Sequence, residues 1–171
     1  MPPGITTPTK GGFWLRSTIE LLPESKKELL IDYFDDAMVI ADLGVQKFRS
    51  KDIEGLYNIF SQIIKDQKDI NQFQQFVNEL ENAYGEIESL EYRNQALEYG
   101  LDTLKGDIDL TKAASHTYYA ITTTMYKGKG LFLDISVYQK DGLFGVIGIQ
   151  FTNYGNNVPS WLQYPNAKVA P

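Results

Sequence analysis

The sequence predicts an α+β fold, in which N-terminal helices, the first of them long, pack on a curved antiparallel sheet. Up to Gly85 the apolar residues recur at the spacing of amphipathic helices, whereas the chain after Gly85 alternates as strands do. Of the 171 residues, 43% are hydrophobic and 13% aromatic, which suffices for one core of ordinary size.

The chain divides by composition into three segments. Residues 1–22 begin with Pro, Thr and Gly, which predicts a flexible N-terminal segment. Residues 23–152 form the α+β domain, and residues 153–171, rich in Asn and Pro, form a C-terminal tail that Trp161, Leu162 and Tyr164 anchor.

The apolar patch Phe13-Trp14-Leu15 precedes the first helix and has two interpretations. It is a tail that packs onto the domain, or it is a membrane-proximal or partner-docking segment.

Three helices are predicted from the periodicity. The first begins near Pro23 and carries an apolar stripe to Phe48, and the second begins at Ser50 or Asp52 and runs to about residue 64. In the third, Asp69 followed by Gln72 predicts a capping box, and Gly85 is placed to end the helix.

The sequence after Gly85 predicts an antiparallel meander. Residues 86–99 form a first strand with an irregularity at Ser89-Leu90 that indicates a bulge, and 100–114 form a long loop. Strands over 117–126, from Leu131 and over 143–152 follow, with a tight turn at Asp141-Gly142.

Charge and composition exclude several classes of function. The net charge of -6 and pI of about 4.8, without a basic run, oppose nucleic-acid binding. The absence of cysteine excludes disulfides, thiolate nucleophiles and iron–sulfur clusters. No stretch has the ~20 apolar residues of a membrane span, and the N-terminus lacks a signal-peptide pattern, so we expect a soluble chain, cytoplasmic or envelope-associated.

His116 is the sole histidine and stands where the second strand of the meander begins. As a general base it needs a cleft and an orienting partner, and a lone His near a strand end is more often structural or exposed. We therefore predict that His116 is not a catalytic base. We also predict no other catalytic residue and no metal site. The adjacent Asp35 and Asp36 point about 100° apart on a helix and cannot share a proton.

Asp134 is the carboxylate that an enzyme would use, with Tyr33 opposite, but strand parity argues against it. Leu131, Leu133, Ile135 and Val137 are uniformly apolar and should face the helices, so Asp134 lies on the other face.

That outer face is the predicted binding surface. An exposed aromatic cluster on a sheet is either a protein interface or ordinary cross-strand pairing. Its predicted members are Tyr118, Tyr126, Phe132, Asp134 and Tyr138.

No motif for a cofactor or nucleophile is present. Gly142, Gly145 and Gly148 are spaced by three but match no dinucleotide pattern and open no helix, which favours a role in sheet curvature. We therefore predict no cofactor.

The order of elements resembles a known superfamily. A long helix, the junction Lys51-Asp52-Ile53-Glu54-Gly55-Leu56-Tyr57, a helix ending at Tyr84-Gly85 and a Tyr/Thr-rich meander are similar to the nuclear transport factor 2-like superfamily, within it to small bacterial domains of unknown function. The resemblance covers residues 24–152. It implies a cone-like sheet around the long helix, often with a pocket at the open end, and frequent homodimers.

These observations favour a non-enzymatic binding or assembly module that acts through a sheet face or the open-end pocket. Its partner is a second copy, another protein or a small apolar ligand. The alternative is a small-molecule enzyme of the isomerase or dehydratase type, with carboxylate and tyrosine groups in the pocket. A third hypothesis is an envelope-associated accessory domain.

Overall fold

The structure is a computed structural model that describes residues 11–100, 110 and 113–165. Within this part of the chain the four α-helices lie before the last four of the five strands. The helices are α1 Glu24–Arg49, α2 Ile53–Asn58, α3 Gln62–Gln67 and α4 Ile70–Tyr84, with 3₁₀ helices Arg16–Leu21 and Ser160–Leu162. The strands are β1 Gly11–Leu15, β2 Ile87–Gly100, β3 Ala114–Thr123, β4 Leu131–Lys140 and β5 Leu143–Asn153.

The strands form one open antiparallel sheet in the order β1-β2-β3-β4-β5. The predicted α+β class is confirmed. Alternate residues of β4, Leu131 to Val137, are buried in one cluster with the apolar stripe of α1, which confirms the predicted parity. The stripe itself includes Ala37, Ala41, Val45 and Phe48.

Local signals for helix and turn boundaries are confirmed in the structure. The Asp69 carboxylate accepts from the Gln72 N–H while the Gln72 side chain accepts from the Asp69 N–H, a complete capping box. Gly85 ends α4 at φ 86°, and Asp141 and Gly142 join β4 to β5 with φ of 53° and 79°. Positive φ at both turn residues is the geometry that follows the right-handed twist of a hairpin.

The predicted second helix is wrong in one respect, because the structure divides it into α2 and α3. Between them the chain runs beside β5: Ser61 donates its N–H to the Val146 carbonyl at 2.8 Å, and Val146 donates to Ile59 at 2.9 Å. Gly145 permits this approach, since a Cβ there would lie 2.7 Å from the Ser61 Cα, whereas one at Gly148 would meet nothing closer than 3.7 Å. Gly145 therefore serves a backbone contact.

The segment over residues 1–22, which the sequence predicts to be flexible, forms regular secondary structure from Gly11 onward. Residues of β1 pair with the end of β2, from Gly11 opposite Gly100 to Leu15 opposite Ala96, and Leu15 and Ile19 are buried. The signal was missed because five residues are too few to show alternation. Residues 1–10 lie outside the described residues.

The meander differs from prediction in its details. β2 carries register shifts near Ser89 and near Arg93, so the predicted bulge is confirmed and a second one accompanies it. β3 ends at Thr123 instead of residue 126, because the Thr123 hydroxyl accepts from the N–H groups of Met125 and Tyr126 and turns the chain. Most of the predicted loop over 100–114 lies outside the described residues.

Candidate functional site

The sheet face opposite α1 brings three adjacent strands together around His116. In β3, His116 is paired with Ser136 of β4 on one side and with Ala96 of β2 on the other. Alternation along β2 and β4 then places Glu98 and Asp134 on the same face as the histidine. The sheet thus assembles an imidazole and two carboxylates from residues far apart in sequence.

Both nitrogens of His116 are occupied by carboxylates. Nε2 lies 2.7 Å from Glu98 Oε2, and Nδ1 lies 3.0 and 3.1 Å from the two oxygens of Asp134. The Ser136 hydroxyl is a further 3.1 Å neighbour of Nδ1. The exposed fractions of the side chains are 14% for His116, 7% for Asp134 and 52% for Glu98, so the network opens to solvent at Glu98.

The charge of His116 follows from these neighbours. Burial lowers the pKa of the imidazole, but the hydrogen bonds and charges of Asp134 and Glu98 outweigh it and raise the pKa to about 9. The hydrogen bond from His116 in turn lowers the pKa of Glu98. At neutral pH His116 is therefore a cation held between two anions, and neither nitrogen is free to accept a proton as a general base.

The C-terminal segment covers this face. Trp161 is 1% exposed and its ring meets Tyr118 edge-on at a centroid distance of 5.1 Å. The backbone carbonyl of Trp161 accepts from the Asn94 amide at 3.1 Å. Leu162 is also buried, as predicted for the tail, whereas Tyr164 is 65% exposed.

Three of the predicted binding residues are buried on this face. Tyr118, Phe132 and Asp134 are 2%, 3% and 5% exposed, so the exposed surface predicted for them is wrong. Burial, and after it the charge of Asp134, raises the pKa of Tyr118 well above its ordinary range, and none of the described residues accepts a hydrogen bond from its buried hydroxyl.

The other predicted residues are dispersed. Tyr126 is half-buried in the turn after β3 and stands 6.1 Å, ring to ring, from Tyr84 of α4, so it belongs to the helix side and not to the outer face. Tyr138 is half-buried near the end of β4, opposite Ala114. Tyr33 donates its hydroxyl proton to the Ala113 carbonyl at 3.0 Å and therefore does not complete a site with Asp134.

A groove of about 700 Å³ lies on the outer face. We call it the outer groove and define it by β2 from Ser89 to Arg93, by the glycine-rich turn Gly128–Gly130 and by the C-terminal segment from Gly155 to Tyr164. Ala120 and Phe132 also line it.

Arg93 is fixed in the wall of the outer groove. Its Nη2 lies 2.8 Å from Glu91 Oε1, and its Nη1 donates to the backbone carbonyl of Gln163. None of the described residues accepts from its buried Nε, and the side chain is 18% exposed. The guanidinium therefore ties β2 to the C-terminal segment and still has donors to offer.

One carboxylate–tyrosine pair lies on the helix side. The Tyr119 hydroxyl donates to Asp42 of α1 at 2.5 Å, and Tyr92 stands edge-on to Tyr119 with ring centroids 6.4 Å apart. Burial, and after it the hydrogen bond to Asp42, raises the pKa of Tyr119 far above its ordinary range. Tyr119 is 2% exposed, whereas Asp42 is exposed.

Comparison with protein-family models, curated proteins and solved structures gives no match. The resemblance to the nuclear transport factor 2-like superfamily stays a prediction. Among the described residues, no group of three or more His, Asp or Glu side chains is arranged to hold a metal ion, and no helix has the length and apolar character of a membrane span.

The sequence offered no signal for the residues that matter most here. Glu98 contacts His116 only because of the register between β2 and β3. The spacing of the two residues in the sequence does not reveal that register. The common position of Arg93 and Lys129 beside one groove was not predicted, because it depends on where the C-terminal segment docks.

Proposed function

We propose that the protein is a non-enzymatic binding module that holds a small molecule in the outer groove. The observation that carries this proposal is the groove itself. Its volume of about 700 Å³ falls within the range of small-molecule sites, and its wall combines buried apolar side chains with a few polar ones, as such sites do.

The state of His116 supports binding over chemistry on this face. A catalytic imidazole needs one free nitrogen, and here each nitrogen contacts a carboxylate. The chain's own C-terminal segment covers much of the sheet face that a protein partner or a second copy would use. These points favour a small ligand over a large partner.

Filling the groove tests the proposal. A Cβ at Gly128 would have no heavy atom within 4 Å, and its φ is not in the left-handed region, so the Gly128→Phe variant should fold normally while its ring occupies groove space. We expect the neutral dye Nile red to bind the wild-type protein with saturable fluorescence, and Gly128→Phe to weaken that binding at least tenfold.

The matched control is Val39→Phe, which adds the same ring at a position of α1 that is 66% exposed and away from the groove. It should bind the dye as the wild type does. Equal binding by all three proteins would place the dye elsewhere and contradict the proposal.

The second candidate, an enzyme of the isomerase or dehydratase type, has one observation in its favour. The Asp42–Tyr119 pair is a carboxylate and a tyrosine on the helix side of the sheet, joined by a short hydrogen bond. A screen of enolisable ketones and hydroxy acids for isomerisation or dehydration tests it, with Tyr119→Phe as control. Turnover that Tyr119→Phe leaves unchanged would refute this assignment.

A further inference from the structure

We propose that the ligand of the outer groove is a small amphipathic carboxylate, an inference that rests on the function proposed above. The charged side chains that line the groove support this inference. Among the described residues that line the groove, Arg93 and Lys129 are cations and Glu91 is the sole carboxylate. The groove is thus locally positive on a chain whose net charge is -6.

The two cations differ in what they already bind. Arg93 has one terminal nitrogen on Glu91 and the other on the Gln163 carbonyl, which fixes its planar fork at the groove wall. Lys129 is exposed, and no described residue forms an ion pair or hydrogen bond with its ammonium group. A carboxylate between them would accept charge-assisted hydrogen bonds from a fixed donor and from a mobile one.

Glu91 is the internal competitor for such a ligand. Its oxygen lies 2.8 Å from Arg93 Nη2, where the ligand's own carboxylate would bind, and its side chain is 54% exposed, so it is free to move aside. The two charges should therefore have opposite effects on the affinity for an anion. Removing the charge of Glu91 should strengthen binding, whereas removing the charge of Lys129 should weaken it.

The rest of the groove accounts for the apolar part of the ligand. Ala120 and Phe132 of the sheet and Leu162 of the C-terminal segment pack together in one apolar cluster and also line the groove. A chain of about eight carbons fits a groove of this volume and would bury its methylenes against this apolar surface.

Calorimetric titration with octanoate and with octanamide, at low ionic strength, tests the inference with probes that differ in charge and not in chain length. We expect octanoate to bind about tenfold more tightly than octanamide, and its advantage to shrink as salt is added. Gly128→Phe should weaken both.

Three charge variants define the site. Lys129→Gln should weaken octanoate binding several-fold and leave octanamide unchanged, whereas Glu91→Gln should strengthen octanoate binding several-fold. Lys140→Gln removes an exposed lysine at the end of β4 and should change neither titration.

The outcomes separate this inference from the proposed function. If octanamide binds as tightly as octanoate, and both are weakened by Gly128→Phe, the groove is a ligand site but the carboxylate assignment is overturned. If neither octanoate, octanamide nor Nile red responds to Gly128→Phe, the groove binds no small molecule of this size and the proposed function fails as well.

Discussion

Replacing Trp161 with Ala is expected to lower the free energy of unfolding by about 3 kcal/mol or more, within the range for a buried Trp truncated to Ala. Its indole is 1% exposed and packs on Tyr118, in a cluster that also contains Leu15, Phe132 and Leu162. Removing it leaves a cavity above the sheet and removes the ring contact with Tyr118. Urea unfolding followed by circular dichroism measures the change.

Tyr164→Ala is the control, because this aromatic lies three residues further along and is 65% exposed. Its truncation should change stability by less than about 0.5 kcal/mol. A loss below about 1 kcal/mol for Trp161→Ala would show that the C-terminal segment does not fold cooperatively with the sheet, and that the outer groove lacks a fixed wall.

Raising the pH from about 6.5 to about 9.5 is expected to remove roughly 3 kcal/mol of stability from the wild-type protein. The pKa of His116 is raised from 6.5 to about 9 in the folded state, so folding favours the protonated imidazole. This contribution is fully present below pH 6.5 and is lost as the pH rises through 9. Urea unfolding at intervals across this window measures it.

The double variant His116→Gln/Asp134→Asn isolates this effect. It replaces the buried cation and the carboxylate at Nδ1 with neutral amides of similar reach, so its stability should vary much less across the same window. A wild-type curve parallel to that of the double variant would contradict the charged state of His116.

At acid pH, Glu98 changes the stability in the opposite direction. Its pKa is lowered in the folded state, so its contribution to stability is lost as the pH falls through the folded-state pKa.

The local signals in the sequence predicted the elements whose residues interact with near neighbours. The stripe of α1, the capping box at Asp69 and the positive-φ turn at Asp141-Gly142 each depend on spacings of a few residues, and each is confirmed. The parity of β4 was equally readable, because a strand buried on one face by helices must alternate.

The candidate site was predicted only in part. Parity placed Phe132 and Asp134 on the face opposite the helices, and the structure confirms that position. Their exposure was wrong, because an alternating strand indicates which residues share a face but not what covers that face. The salt bridge from His116 to Glu98 was missed for a related reason, since its geometry depends on how two strands are registered.

By itself the sequence determined an α+β chain without cysteine, the start of α1, both ends of α4, the β4–β5 hairpin and the apolar side of the sheet, because these follow from short-range periodicity, capping and turn chemistry. The tertiary structure alone decided three further features: the break between α2 and α3 at β5, the burial of the outer face under Trp161, and the meeting of Glu98, His116 and Asp134. Each joins residues distant in the chain, and the free energy that fixes such contacts comes from packing and desolvation, which no local pattern records.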